Sequence, residues 1–351
     1  MASSALRGVR VFRNGRFGDP EDIVIEGSII GTDTSGALDV ASGGYLIPGL
    51  IDCHVHIIGR ETLATFASFG VTTVLDMGNP MSLLDPLRDA IGVADLRAAG
   101  LVSTSPTSVH AQRMHAGSDV LVANPGEADA WVATRVDEGA DYIKVVIDLP
   151  GFDQETVDAL VAAAHARGKK VVAHASRFDA VTMAQRAGVD ILTHVPLDRP
   201  LAGAQAAELV AAGAIVVPTL TMMKGIVEGL KAAGAPGPAY EPARATVAAL
   251  HDAGMPILAG TDANAVPFGP SSPPFGESLH QELGLLVEAG LSPAEALDAT
   301  TSVAAHHFGL DDRGRIEPGL RADLVLLDAN PLVAISATRN IRGVWIAGQR
   351  I

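Results

Sequence analysis

A single cysteine, Cys53, is all the sulfur chemistry the chain offers, so no intrachain disulfide framework can form and nothing points to an oxidising compartment. Basic residues are scarce: 25 Lys and Arg stand against 40 Asp and Glu, giving a net charge of −15 and a pI near 5.1. That balance opposes nucleic acid as a partner, because phosphate binding relies on clustered cations. Long apolar runs are missing too. No stretch of about 18 apolar residues occurs, and residues 1–10 hold none of signal-peptide length. The expectation is a soluble, cytoplasmic protein with no membrane partner. With 351 residues and 48% hydrophobic composition, the chain can still bury a large core.

The two ends share one texture. Val9-Arg10-Val11-Phe12, the turn Asn14-Gly15 and Ile23-Val24-Ile25 read as a hairpin, and residues 322–328 and 341–346 with Ala347-Gly348 read alike. Both ends are expected to pair into one small β domain, residues 1–46 plus 314–351. Between them, apolar strand runs alternate with Ala-rich helical runs such as 154–166 and 204–212, which Gly168 and Gly213 close. Strands are predicted at 45–56, 71–76, 100–104, 142–148, 170–174, 190–194, 214–218 and 256–261. Eight βα units in residues 47–313 match a (β/α)8 TIM barrel. The competing architecture is an open doubly wound sheet. Against it, no Gly-X-Gly-X-X-Gly follows the first barrel strand, and the chemical residues spread over at least five strands.

Those residues stand at strand ends. His54-Val55-His56 closes the first barrel strand, and on a strand residues i and i+2 point the same way, so the two imidazoles can grip one metal ion. Lys144, His174, His194 and Asp262 follow at the ends of later strands, on the barrel face where active sites lie. Each alone reads as an ordinary hydrogen-bonded residue; together they read as a metal centre. Nitrogen and carboxylate ligands suit Zn²⁺ first, with other divalent transition metals open. An ammonium has no lone pair, so Lys144 must act neutral or as a carbamate, or else pair with a carboxylate such as Asp148. Cys53 alternates away from the imidazoles and reads as packing.

Taken together, Pro48-Gly49-Leu50-Ile51-Asp52-Cys53-His54-Val55-His56, Gly70-Val71-Thr72-Thr73-Val74, Ile143-Lys144, His174, Thr193-His194, Gly260-Thr261-Asp262-Ala263 and Ile316-Glu317-Pro318-Gly319-Leu320-Arg321-Ala322-Asp323-Leu324 resemble the metal-dependent amidohydrolase superfamily. The likeness is to its imidazolonepropionase-like and metal-dependent prolidase-like branch, and it implies a TIM barrel with a small β-sandwich built from both chain ends. It also implies two divalent metal ions: one on His54, His56 and Asp262, one on His174 and His194, bridged by a carbamylated Lys144. A hydroxide shared by the ions would attack an amide-type C–N bond of a small molecule, such as an N-acyl amino acid, a dipeptide or a small cyclic amide. Asp262 would carry the proton to the leaving group. Other readings stay open: a mononuclear deaminase or imidazolone-type ring hydrolase, a lactonase or phosphotriesterase on the same metal face, or a non-catalytic barrel. Deaminases of the superfamily place a Glu about three residues after the fifth-strand histidine, where this chain has Arg177. Homo-oligomers are common among such proteins.

One departure from the family pattern is the short connection from His56 to Gly70, which suggests a pocket more open on that side. Long loops elsewhere supply substrate-binding candidates: His110, Arg113 and His115 after the third strand, Arg177 after the fifth, Met222 and Lys224 after the seventh, and Phe268 after the eighth. The cations would meet a carboxylate, the histidines a carbonyl oxygen, and Met222 and Phe268 an apolar group. His280, Asp76, Thr193 and Thr261 are candidates to support ligating imidazoles through hydrogen bonds. His165, His251, His306 and His307 fall on helices and are assigned no chemistry.

Overall fold

The computed structural model describes residues 3–113, 117–266 and 271–351. Strands β1 (Ser4–Arg13), β2 (Arg16–Glu26), β3 (Ile29–Ile30), β4 (Leu38–Ser42) and β5 (Tyr45–Pro48) open the chain. The short strands β6 (Leu50–Val55), β7 (Val71–Asp76), β8 (Asp95–Ala98), β9 (Ile143–Val146), β10 (Val171–His174), β11 (Ile191–Thr193) and β12 (Ile215–Val217) alternate with helices. The C-terminal part adds β13 (Leu324–Leu327), β14 (Ile341–Ile346) and β15 (Gln349–Arg350). No helix among the described residues is long and apolar enough to cross a membrane.

Both ends meet in one eight-stranded sheet, ordered β15-β14-β13-β5-β1-β2-β3 with β4 beside β1. The Asn14-Gly15 turn closes the β1–β2 hairpin with both residues at positive φ, as the expected two-residue turn requires. β13 is buried on both faces: Leu324 and Leu326 join Trp345 and Leu6 on one side, while Val325 and Leu327 join the main core on the other. A buried ion-pair network ties this end to the parallel strands. Arg313, 3% exposed, donates to Asp95 of β8 and to Thr73 of β7, and Arg321 reaches Asp95 and Asp323.

The parallel strands form two sets, β6-β7-β8 and β9-β10-β11-β12. Single bridges link their edges through the intervening chain: Ser103 to Val145, Val216 to Ile257, and Val55 to Ala263. One apolar cluster gathers Ile51, Cys53, Leu75, Val172, Ile215 and Leu258 from both sets, so Cys53 is packing, as its alternation implies. A larger cluster lies between the strands and the helices. Helix Gln154–His165 starts on an Asp153 side-chain cap and Gly168 follows it at φ 67°; Gly213, at φ 73°, follows helix Ala204–Ala211.

Three expected strands differ. Residues 45–56 split at Gly49, whose backbone lies so close to Thr72 that an added Cβ would stand 2.1 Å from its Oγ1. The third parallel strand is Asp95–Ala98, earlier than the expected 100–104, because Gly100 at φ 69° turns the chain; Ser103 and Thr104 keep only bridges. Residues 256–261 form no strand. There Gly260 passes against His54, and the Thr261 N–H goes to the Asp52 carboxylate at 3.1 Å instead of a strand partner.

Candidate metal centre

β6 delivers His54 and His56 directly beside the segment carrying Asp262. The His56 N–H donates to the Ala263 carbonyl at 2.8 Å and the Asp262 N–H to the His54 carbonyl at 2.7 Å. Asp262 stands at φ 57°, a left-handed conformation uncommon outside glycine, and its Oδ1 lies 3.1 Å from His56 Nε2 and 3.5 Å from His54 Nε2. Below them Asp52, fully buried, accepts from the N–H groups of His54 (3.2 Å) and Thr261 (3.1 Å) and from the Thr261 hydroxyl (2.7 Å). Burial pushes its carboxyl up to about 7, against those hydrogen bonds.

His174 ends β10, and His194 follows β11 at φ 70° with its N–H on the Val217 carbonyl. The rings gather closely: His54 and His56 at 5.4 Å between centroids, His54 and His194 at 5.0 Å, His174 and His194 at 4.3 Å. Ligand-type atoms of His54, His194 and Asp262 lie within 4.8 Å of one another, and those of His110, Asp148 and His174 do likewise. Burial, reinforced by neighbouring cations, holds His54, His174 and His194 well below the ordinary imidazole value, so their lone pairs are available at neutral pH. Burial also acts to lower His56, but the Asp262 carboxylate outweighs it and raises it. His174 Nε2 is buried without any hydrogen-bond partner, a costly arrangement that a bound cation would relieve, and His54 Nδ1 is unpartnered on the side of its ring away from the Nε2 that faces Asp262. This donor set fits divalent metal.

Lys144 projects from β9, buried, and donates from Nζ to Thr193 Oγ1 at 2.7 Å. It does not pair with Asp148. Burial brings its ammonium down to about 7, so a large share is the free amine near neutrality. Asp148 is instead the partner of His110, accepting from its N–H at 3.0 Å and lying 2.7 Å from Nδ1. Although burial raises Asp148, His110 and His174 hold its carboxyl well below the usual range. The His110 ring stands 4.5 Å from that of His174, so this substrate candidate reaches the cluster.

The other candidates spread out. Arg177 is exposed and contacts the Leu149 carbonyl at 3.4 Å. Met222 is buried in the main core, and Lys224 lines a groove of about 470 Å³ with Glu228, Gln281 and Arg339. The Arg113 side chain, His115 and Phe268 lie outside the described residues. Of the supporting candidates, Thr193 holds Lys144 and Thr261 holds Asp52, while the Asp76 carboxylate serves the backbone of Ile57, Gly78 and Asn79. His280 does not support a candidate ligand: its two nitrogens meet Thr338 Oγ1 and the Phe69 carbonyl instead. Sequence reasoning missed Thr219, whose Oγ1 is 2.7 Å from His194 Nδ1, and the pairing of His110 with Asp148. The one available signal is position, since Thr219 follows the C-terminal end of β12 and Asp148 that of β9.

The amidohydrolase family profile matches residues 45–351. The imidazolonepropionase of Deinococcus deserti is 33% identical over 307 residues, covering 84% of this chain and 69% of that protein. Among solved structures, a Xaa-Pro dipeptidase with methionine bound in its active site superposes with a TM-score of 0.84 at 24% identity, covering 100% of both chains. Phenylurea hydrolase B superposes with a TM-score of 0.83 at 23% identity, covering 100% of this chain and 97% of its own. An α/β fold of TIM-barrel type, with histidine and aspartate groups that could hold a metal ion, defines a metal-dependent amidohydrolase class of enzyme. The chain belongs to the amidohydrolase family and is a hydrolase of carbon–nitrogen bonds. Members of the superfamily generally use divalent metals.

Proposed function

We propose that this protein hydrolyses an amide-type C–N bond in a small molecule, an N-acyl amino acid, a dipeptide or a small cyclic amide, with two divalent metal ions, Zn²⁺ first. His54, His56 and Asp262 would hold one ion, His174 and His194 the other, and Lys144, carbamylated by carbon dioxide with loss of a proton, would bridge them. The observation that carries the reading is the convergence of four imidazoles, His174 among them with an orphaned buried Nε2, around Asp262 and Lys144. When bound, such a metal pair supplies Lewis acidity for the substrate carbonyl and a water acidic enough to lose its proton near neutrality.

The chain's own groups supply the rest. Asp262 accepts the proton of the attacking water and returns it to the leaving nitrogen. Asp52 holds His54 and Thr261 in register, so Asp262 stays within reach of both imidazoles. His110, fixed by Asp148, turns toward the cluster to meet the substrate's oxygen. The bridges of Ser103, Val216 and Val55 support a closed (β/α)8 ring over residues 47–313, and the mixed terminal sheet supports a separate small domain, 1–46 plus 314–351, of β-sandwich type.

Metal analysis of purified protein is expected to find close to two ions per chain. One ion per chain would transfer the case to the mononuclear reading, which draws on the separate grouping of His54, His194 and Asp262. A panel of N-acyl amino acids, dipeptides, cyclic amides, lactones, phosphotriesters and aminated heterocycles tests the bond class; turnover confined to the last three would reject amide hydrolysis.

A further inference from the structure

Thr219 is the residue before the helix Leu220–Ala232, and it stands at φ 48° and ψ 47°, a left-handed conformation strained for a β-branched side chain. Threonine at a helix start normally spends its hydroxyl on the helix's own free N–H groups. Here it makes no such cap, because Oγ1 faces His194 Nδ1 at 2.7 Å. The N–H groups of Leu220 and Thr221 are taken instead by Glu282, from the helix Glu277–Glu288, at 2.8 and 2.7 Å, and its carboxylate also accepts the Thr221 hydroxyl at 2.8 Å. Glu282 is wholly buried and makes no ion pair among the described residues. A buried carboxylate without a cation is retained at high desolvation cost, so what it holds in place matters.

We infer that Glu282 is a positioning residue for the metal centre: by capping the helix in place of Thr219, it frees the threonine hydroxyl to orient His194. A hydrogen on Nδ1 donated to Thr219 leaves Nε2 as the lone-pair nitrogen and fixes the ring plane. The inference rests on the reading that His194 is a metal ligand, and it assigns a role to two residues outside the ligand set.

The test is a competition titration of Zn²⁺, with Co²⁺ absorption as a second readout, on the full chain. Thr219→Val is expected to weaken the ion assigned to His174 and His194 by about 10–100-fold, the usual cost of losing a partner behind a ligating histidine. Thr219→Ser, which keeps the hydroxyl, is expected to restore the affinity. Glu282→Gln is expected to weaken binding in the same direction and to alter the Co²⁺ spectrum, with the far-UV dichroism of a folded protein. Wild-type affinity in Thr219→Val, or a Glu282→Gln protein that only melts earlier while binding both ions normally, overturns the inference. Should Glu282→Gln not fold, the Thr219 pair decides alone. His194→Ala separates the two layers: retention of both ions removes the ligand reading and the inference with it, whereas loss of one ion beside an unaffected Thr219→Val removes only the positioning role.

Discussion

Asp262 sits against His54 and His56, and in the proposed reaction the same carboxyl would move a proton. Replacing it with asparagine preserves shape and removes basicity, so Asp262→Asn is expected to lower kcat by about 10² or more, measured on whichever amide substrate the panel returns. Turnover at the wild-type level would take the proton-transfer role away. Lys144 lends itself to a test by pH. Burial lowers it from its ordinary 10.5 to about 7 in the fold. A depressed folded value for a base means its stabilising share is present above the unfolded value and is lost as pH falls through the folded one. Chelated protein is therefore expected to lose stability in urea as pH drops from about 10 toward 7, by about 1.4 kcal/mol for each pH unit. Lys144→Met should flatten that dependence; an unchanged slope would show that another group carries it.

At the level of elements, the site depends on how β6 lies against residues 259–263. Asp52 satisfies the N–H groups of His54 and Thr261 and the Thr261 hydroxyl, and Gly260 allows the approach, since a Cβ there would stand 3.0 Å from the His54 backbone nitrogen. Asp52→Ala leaves those donors buried and unpaired, at about 1–3 kcal/mol each, so the midpoint of urea unfolding is expected to fall sharply. Metal affinity should fall with it, because Asp262 loses its register on the two imidazoles. A variant with normal stability and normal metal content would deny Asp52 that role. Gly49 poses the same kind of constraint at the junction of β5 and β6, where Thr72 leaves no room for a side chain.

Across the whole molecule, the terminal sheet and the parallel strands are joined by Arg313, Asp95, Arg321 and Asp323. Arg313 is 3% exposed, and the neighbouring carboxylates raise its guanidinium even though burial acts to lower it. Removing one member of such a network strands the others, so Arg313→Met is expected to cost about 3–5 kcal/mol. Calorimetry would register this as a lower Tm, and separate transitions for the two parts would appear if the network is what couples them. An unchanged Tm would mean that the apolar contacts of Val325 and Leu327 suffice.

Much of this protein could be read along its length. Alternation and turn chemistry predict the Asn14-Gly15 hairpin and the helix from Gln154, because those depend on neighbours a few residues away. The His54-Val55-His56 spacing and its partners at later strand ends were legible for the same reason. Other features depend on chain brought together from afar. The apolar pattern predicts strands at 100–104 and 256–261, yet Gly100 turns the first aside and Asp52, some two hundred residues away, captures the backbone of the second. His280 faces Thr338 and Phe69 rather than the centre, and Asp148 serves His110 rather than Lys144, because a side chain's partner is whatever packing puts within 3 Å. Sequence alone determined which chemical groups stand at the strand ends; tertiary structure decided which of them meet, since hydrogen bonds and burial act over distances that the chain's own order does not record.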